Sequence, residues 1–515
     1  MFVPLVLLLS CLLVAVNANS DSKTVLILGG GVAGIIAAKT LHEAGIDDFI
    51  IIEAQDELGG RMKSHHFGGK TVELGANWIH GAEPVSGPVN PIYTLAKKHE
   101  VKTQYNDFYG SVSTFDLNGT TDFVDICRKA FEDHVKLTIA GGERLSRSLV
   151  DLSARTGYAL LGSKPQTHHE QAAEYFHFDM EYAQSPEQSS WIAQAMNANF
   201  TYDFSRKRPS KDALLSIDER GFKTVVQAEA AEFLLPSQVT FNSTVMDISY
   251  SNSEVSVTLD GGRVIHGAYA LCTFSLGVLQ HDDVRFQPEL PSESAALMNV
   301  RYVDNVYRKA YKQEAIQSMV MATYTKIFFK FNQKFWFDTE MGLYADPERG
   351  RYSTWQSLDH PNFFPGSGII FVTVTGVFAE RAESLSDSQV REEALGVLQQ
   401  MFPDIDVPQP LDMFFYRWHS DPLYRGSYSN WPPAFFLSHY YNLRANVGRL
   451  YFAGEATSLK YVGFLHGAYD EGLNIAREII TCIREDECAP MKRVPDITNG
   501  DEKFYGHFNM QYSLY

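Results

Sequence analysis

Lys23–Glu53 reads KTVLILGGGVAGIIAAKTLHEAGIDDFIIIE. Thr24–Leu28 is an apolar, β-branched run of strand length. It leads into Gly29-x-Gly31-x-x-Gly34 and then an Ala/Ile-rich helical pattern. A second apolar run, Phe49–Ile52, ends in Glu53. The first glycine permits a tight turn, the second lets backbone approach a pyrophosphate, and the third lets helix and strand pack closely. The diphosphate then rests on the helix N-terminus, beside Val32 and Ala33, where free N–H groups and the dipole favour negative charge. Glu53, about 20 residues beyond the glycines, is placed to accept hydrogen bonds from a ribose diol. Glycines alone would serve any tight strand-to-helix turn. Strand, turn, helix and acid in this order point to a bound dinucleotide.

Upstream, residues 1–18 form an almost uncharged apolar stretch ending in small residues around Ala18. It reads as a secretory signal peptide cleaved after Ala18, although its first residues lack the usual basic side chain. An uncleaved anchor is the alternative, and the run is short for a spanning helix. Secretion is consistent with three glycosylation sequons, at Asn118, Asn199 and Asn242. Four cysteines remain beyond the signal. Cys482 and Cys488 are close enough for a local disulfide, with buried or free thiols as the alternative. There is no CxxC pair, and His42-Glu43 lacks the second His of HExxH, so no protein-bound metal is expected.

The chain has 44 Lys and Arg against 62 Asp and Glu, a formal net charge of −18 spread along its length. That argues against nucleic acid or anionic membranes as partners. It suits a cationic ligand through steering, although solubility alone also accounts for it.

Downstream of Glu53, Gly59-Gly60-Arg61 is a turn that brings an arginine to phosphate oxygens. Gly75-Ala76-Asn77-Trp78 is a small-residue turn suited to backbone lying against something flat. Residues 96–209 read as mixed helical scaffold. Strands are expected at Asn242–Tyr250, Glu254–Leu259 and Val264–Thr273. Thr323–Phe331 alternates with period two, placing Tyr324, Lys326 and Phe328 on one face and Ile327, Phe329 and Phe331 on the other. Ile369–Phe378 reads as a further strand, Asp387–Met401 as a helix. Finally, Arg449–Thr457 (RLYFAGEAT) and Gly463–Tyr469 (GFLHGAY) lead into a helix over Asp470–Arg484, a second ligand-facing turn. The chain thus returns to the cofactor near its end.

The reading is an α/β protein, a Rossmann-like nucleotide domain interleaved with a mixed-sheet-plus-helices substrate domain. The nucleotide domain takes 22–95, 210–300 and 425–485, the substrate domain 96–209 and 301–424, and 489–515 is a C-terminal tail.

The glycine turn, GGRM, GANW, YTKIFFKF, YRGSYSNWP, YFAGEAT and GFLHGAY, in this order, resemble the flavin-containing amine oxidases, above all polyamine and spermine oxidases. The resemblance covers nearly the whole chain beyond the signal and implies FAD as cofactor. It places Gly29, Gly31, Gly34, Glu53, Gly60, Arg61, Gly454 and Glu455 at the adenosine and pyrophosphate, and Val245 at the adenine side through its backbone. Gly75, Ala76, Asn77 and Trp78 line the flavin ring, Trp418, Gly463 and Phe464 are further cofactor contacts, and Trp418 also matches a pocket position. Relatives that tether the flavin carry a Cys where this chain has Ser427, so non-covalent FAD is expected.

The resemblance makes Lys326 the catalytic residue, holding a water near the flavin. A desolvated lysine has a depressed pKa and exchanges protons or orients water. Tyr428 and Phe464 match aromatics flanking the substrate, and Tyr324 a further pocket position. Glu181 matches a carboxylate that pairs with a distal ammonium. His80 stands where some relatives carry Glu and would hydrogen-bond the amine reversibly with pH.

The signal-like start makes the expected protein secreted, a monomer is expected, and the resemblance implies an enzyme acting on small polyamines with O2. An L-amino-acid oxidase of similar fold is the rival. It needs an arginine for the substrate carboxylate, with Arg155, Arg351 and Arg425 as candidates. A non-catalytic flavoprotein would be expected to have lost the lysine or the cofactor turns.

Overall fold

The computed structural model describes residues 22–82, 89–201, 213–291 and 312–485, the side chains of 198–201 excepted. The signal segment, Cys488 and the C-terminal tail lie outside the described residues.

Strand β1 (Ser22–Leu28) runs into helix α1 (Val32–Glu43) and then strand β2 (Phe49–Ile52), as expected. Val25–Leu28 and Phe49 are fully buried because the sheet is covered on both faces. Val239–Thr240, β2, β1 and Val264–Cys272 pair in parallel. The long strand Val264–Cys272 then divides its outer edge. Its first half pairs antiparallel with Val255–Leu259, while Ala270–Cys272 pair in parallel with Leu450–Phe452. This fork brings the chain's end back to β1. The last helix, Leu465–Glu485, crosses α1 so closely that a Cβ on Gly472 would lie 2.4 Å from the Ala33 carbonyl oxygen.

The second sheet has seven strands, drawn from 112–120, 324–375 and 412–415. Tyr324–Lys330 sits near one edge and pairs along its whole length with Ile369–Thr375. Ile327, Phe329 and Phe331 pack into a core with the helices Gly376–Ser384 and Asp387–Met401. Full burial of each such side chain contributes about 1.5–3 kcal/mol. The opposite face of the strand turns Tyr324 and Lys326 toward the nucleotide sheet. A small sheet of Thr103–Tyr105, Ala213–Ser216 and Trp78–His80 bridges the two regions.

The largest differences from expectation are at three boundaries. The strand expected over Ile369–Phe378 ends at Thr375, where Gly376 takes φ +56° and starts a helix. The strand expected from Asn242 begins at Val245, because Asn242 sits in a turn at φ +49°. The final helix begins at Leu465 rather than Asp470, since Gly463, at φ +84°, turns the chain just before it and Gly467 is accommodated in its first turn. Cys482 is disulfide-bonded to a partner outside the described residues, whereas Cys127 and Cys272 are free and buried. Asn118 and Asn242 are exposed in turns. The side chain of Asn199 lies outside the described residues.

Candidate active site

One cavity of about 600 Å³ runs from the N-terminus of α1 to the helical layer of the second region. It borders every cofactor, substrate and catalytic residue named from the sequence except Gly34. Gly34 acts by packing, since a Cβ there would lie 2.1 Å from the Gly29 carbonyl oxygen.

The nucleotide end is built for a polyanion. Helix α1 has Gly31 as N-cap, no side-chain cap and no acid in its first turn, leaving its N–H groups to a ligand. A Cβ on Gly31 would meet nothing nearer than Gly60 Cα at 4.0 Å, so the cradle stays open. Glu53, raised above the usual carboxylate range by burial, accepts from Gly30 N–H at 2.6 Å and Gln55 N–H at 2.8 Å. It therefore locks the turn as well as bordering the cavity. Arg61 donates through Nη1 to Glu455 at 2.8 Å and to the Ser427 carbonyl at 3.0 Å. Glu455 also accepts from Ser429 Oγ and Gly463 N–H, and so ties three loops around the cavity. Open helix N-terminus, glycine cradle and flanking guanidinium fit a dinucleotide, with Gly75–Trp78 as the bed for a flat ring.

Over that bed stands Lys326, only 3 % exposed. Its Nζ donates to the Glu73 carbonyl at 3.0 Å, the Gly75 carbonyl at 2.5 Å and Asn77 Oδ1 at 2.8 Å, and lies 5.0 Å from the Trp78 ring centroid. Burial pulls its pKa down to about 7, against the opposing charge of Glu73. Burial pushes Glu73 up to about 7, even though Ser64 Oγ and Phe222 N–H donate to it. The protonated lysine uses all three N–H bonds on protein acceptors. A water reaches this nitrogen only by taking the place of one of these acceptors.

Beyond the lysine the walls become aromatic. Tyr324 and Tyr428 lie with ring centroids 5.9 Å apart, and Tyr428 Oη donates to the Glu181 carbonyl at 3.1 Å. Phe464 meets His80 edge-on at 5.5 Å. Trp418, 2 % exposed, is packed between Tyr416 and Tyr424. Burial pushes the Glu181 carboxyl up to about 7. Burial pulls the His80 ring down to about 4, which favours its neutral form. The three arginines considered for a carboxylate are bound elsewhere. Arg155 pairs with Glu174 and Glu187, Arg351 lies nearest Asp346 and Glu348, and Arg425 pairs with Asp283. None borders the cavity; among the described residues Arg61 alone does.

Sequence reasoning missed Glu73 and an arm formed by Tyr109, Phe131, His134 and His177. Glu73 carried a faint signal, an acid between Val72 and Leu74 beside a small-residue turn. The arm carried none, because its members come from a loop and two helices.

A family model described as flavin containing amine oxidoreductase matches residues 32–480. Polyamine oxidase 1 of Zea mays is 35 % identical over 496 residues, 92 % of this chain and 93 % of that protein. Polyamine oxidase 6 of Oryza sativa subsp. japonica is 34 % identical over 512 residues, 95 % and 96 % of the two chains. Among solved structures, wild-type putrescine oxidase bound to putrescine superposes with a TM-score of 0.67 at 16 % identity, covering 89 % of this chain and 99 % of that one. This last likeness speaks to the α/β fold alone. A flavin seated in a dinucleotide site is FAD. The chain belongs to the flavin-containing amine oxidoreductase family and is an FAD-dependent amine oxidase.

Proposed function

We propose that this protein is a secreted polyamine oxidase acting on spermine, spermidine or their N-acetylated forms. It oxidises a carbon next to a secondary nitrogen to an imine, O2 being reduced to hydrogen peroxide, and water hydrolyses the imine to an aminoaldehyde and a shorter amine. The observation that carries the substrate class is the cavity beyond Lys326. Its walls are aromatic, it holds the Glu181 carboxyl, and among the described residues it offers no arginine outside the Arg61–Glu455 pair for a substrate carboxylate. Such a channel suits a linear polycation and disfavours an amino acid. The polyamine oxidases among its relatives support the same reading.

FAD, when bound, supplies the hydride acceptor and the route for electrons to oxygen. The chain's own residues position the amine and handle its protons. Tyr324, Tyr428 and Phe464 hold the alkyl chain, and neutral His80 keeps a second positive charge away from the reacting nitrogen. Lys326, poised near neutrality, takes or relays the proton that the reacting amine must lose. The signal-like residues 1–18 and the exposed sequons at Asn118 and Asn242 support secretion, with use of the Asn199 sequon part of the same proposal. We take the enzyme to be a monomer, free of the membrane once the signal is cleaved, binding FAD without a covalent tether.

The test is anaerobic bleaching of the flavin absorbance with spermine, spermidine, N1-acetylspermine and leucine added separately. Rapid bleaching by a polyamine is expected. Bleaching by leucine alone moves the protein to amino-acid oxidation.

A further inference from the structure

The end of the cavity remote from the nucleotide is marked by His177. Its Nε2 lies 2.9 Å from the Cys127 carbonyl oxygen, an atom that only accepts, so Nε2 carries the hydrogen. Nδ1 is then the acceptor of the neutral ring, and it is buried with no hydrogen-bond partner among the described residues. A polar atom left in that state calls for an explanation, and a ligand is one. His177 as a whole is 6 % exposed, and its ring borders the cavity. Burial and the neighbouring His134 both disfavour the charged ring, which keeps the lone pair available.

The arm leads there from the lysine by an aromatic path. Trp78, which lies under Lys326 Nζ, is 5.3 Å from Phe108. Phe108 is 6.2 Å from Tyr109, and Tyr109 stacks on His177 at 5.0 Å. Tyr109 is 56 % exposed and stacks on the face of the His177 ring, leaving the in-plane edge that carries Nδ1 to other neighbours. Glu181 borders the same arm, four residues on from His177.

We propose that His177 is a specificity-determining residue, accepting through Nδ1 a hydrogen bond from the substrate's terminal ammonium, the nitrogen farthest from the carbon oxidised. Glu181 supplies the countercharge, and Tyr109 and Phe131 supply the aromatic faces that favour a cation. This rests on the polyamine reading above and deepens it. It makes the arm a length gauge, since only a chain long enough to set one nitrogen at Lys326 and another at His177 gains the second anchor.

The test separates the two nitrogens of the ring. His177→Gln keeps a donor for the Cys127 carbonyl and loses the acceptor at the Nδ1 position. His177→Asn keeps an acceptor there and loses the bond to Cys127. Each purified holoenzyme is assayed with spermidine and with an analogue whose terminal amino group is replaced by methyl.

The wild-type preference for spermidine, as a ratio of kcat/KM, is expected to fall about tenfold in His177→Gln, mainly through KM. His177→Asn is expected to retain most of it. An unchanged preference in His177→Gln overturns the inference and leaves the polyamine reading intact. Equal losses on both compounds, with a lowered Tm, also overturn it by showing a structural role. Failure of the wild-type flavin to bleach with any polyamine overturns the reading beneath, and this inference with it.

Discussion

Lys326 Nζ donates to Asn77 Oδ1 at 2.8 Å, joining the Tyr324–Lys330 strand of one region to the Gly75–Trp78 turn of the other. The bond spans 249 residues of sequence and crosses the line between the two sheets. Catalytic geometry here depends on how the two regions dock.

Replacing Lys326 by Met removes the only amine bordering the cavity among the described residues while keeping a similar apolar stem. We expect flavin reduction by substrate, or reoxidation by O2, to slow about a hundredfold or more with FAD still bound. Stopped-flow absorbance of the two half-reactions would show which step carries the loss. Normal rates in both would remove Lys326 from the chemistry.

The depressed pKa of Lys326 also sets a stability slope. In the unfolded chain the lysine returns to about 10.5, so between about 7 and 10.5 the unfolded state binds more protons than the folded one. This group's contribution to stability therefore rises with pH across that window, by at most about 1.4 kcal/mol per pH unit. Thermal midpoints measured from pH 7 to 10 should show a shallower rise in Lys326→Met.

Glu73 acts on the same lysine in the opposite sense, since its charge raises the Lys326 pKa. Glu73→Gln should let Lys326 lose its proton at lower pH, so the acid limb of kcat/KM moves to lower pH. A pH–rate profile that stays in place would show that the carboxylate does not tune the lysine.

Gly34→Ala places a methyl group where the Gly29 carbonyl oxygen already sits. Either α1 must move off β1 or the turn must open, at a cost of about 1–3 kcal/mol. Flavin content and Tm should fall together. A variant that binds FAD normally would mean the turn has more slack than its geometry shows.

Glu53→Gln leaves one oxygen to accept from Gly30 and Gln55, where the carboxylate offers two. FAD affinity, read by quenching of flavin fluorescence on adding apoenzyme, should weaken about tenfold.

The amino-acid sequence by itself determined the elements whose signals are local. The glycine turn between β1 and α1 follows from steric needs of neighbouring residues. The shared face of Tyr324 and Lys326 follows from the two-residue period of a strand. The strand run on to Phe378 failed for a local reason as well, because apolar content continued past Gly376 while the backbone turned there. The tertiary structure alone decided what depends on several segments at once. The proton affinities of Lys326 and Glu73 are set by desolvation, which sums over every element packed around them. The Arg61–Glu455 pair closes across 394 residues, and the lone pair of His177 is defined by a carbonyl on another helix. No window of sequence contains those neighbours, and it is the neighbours that set charge, tautomer and reach.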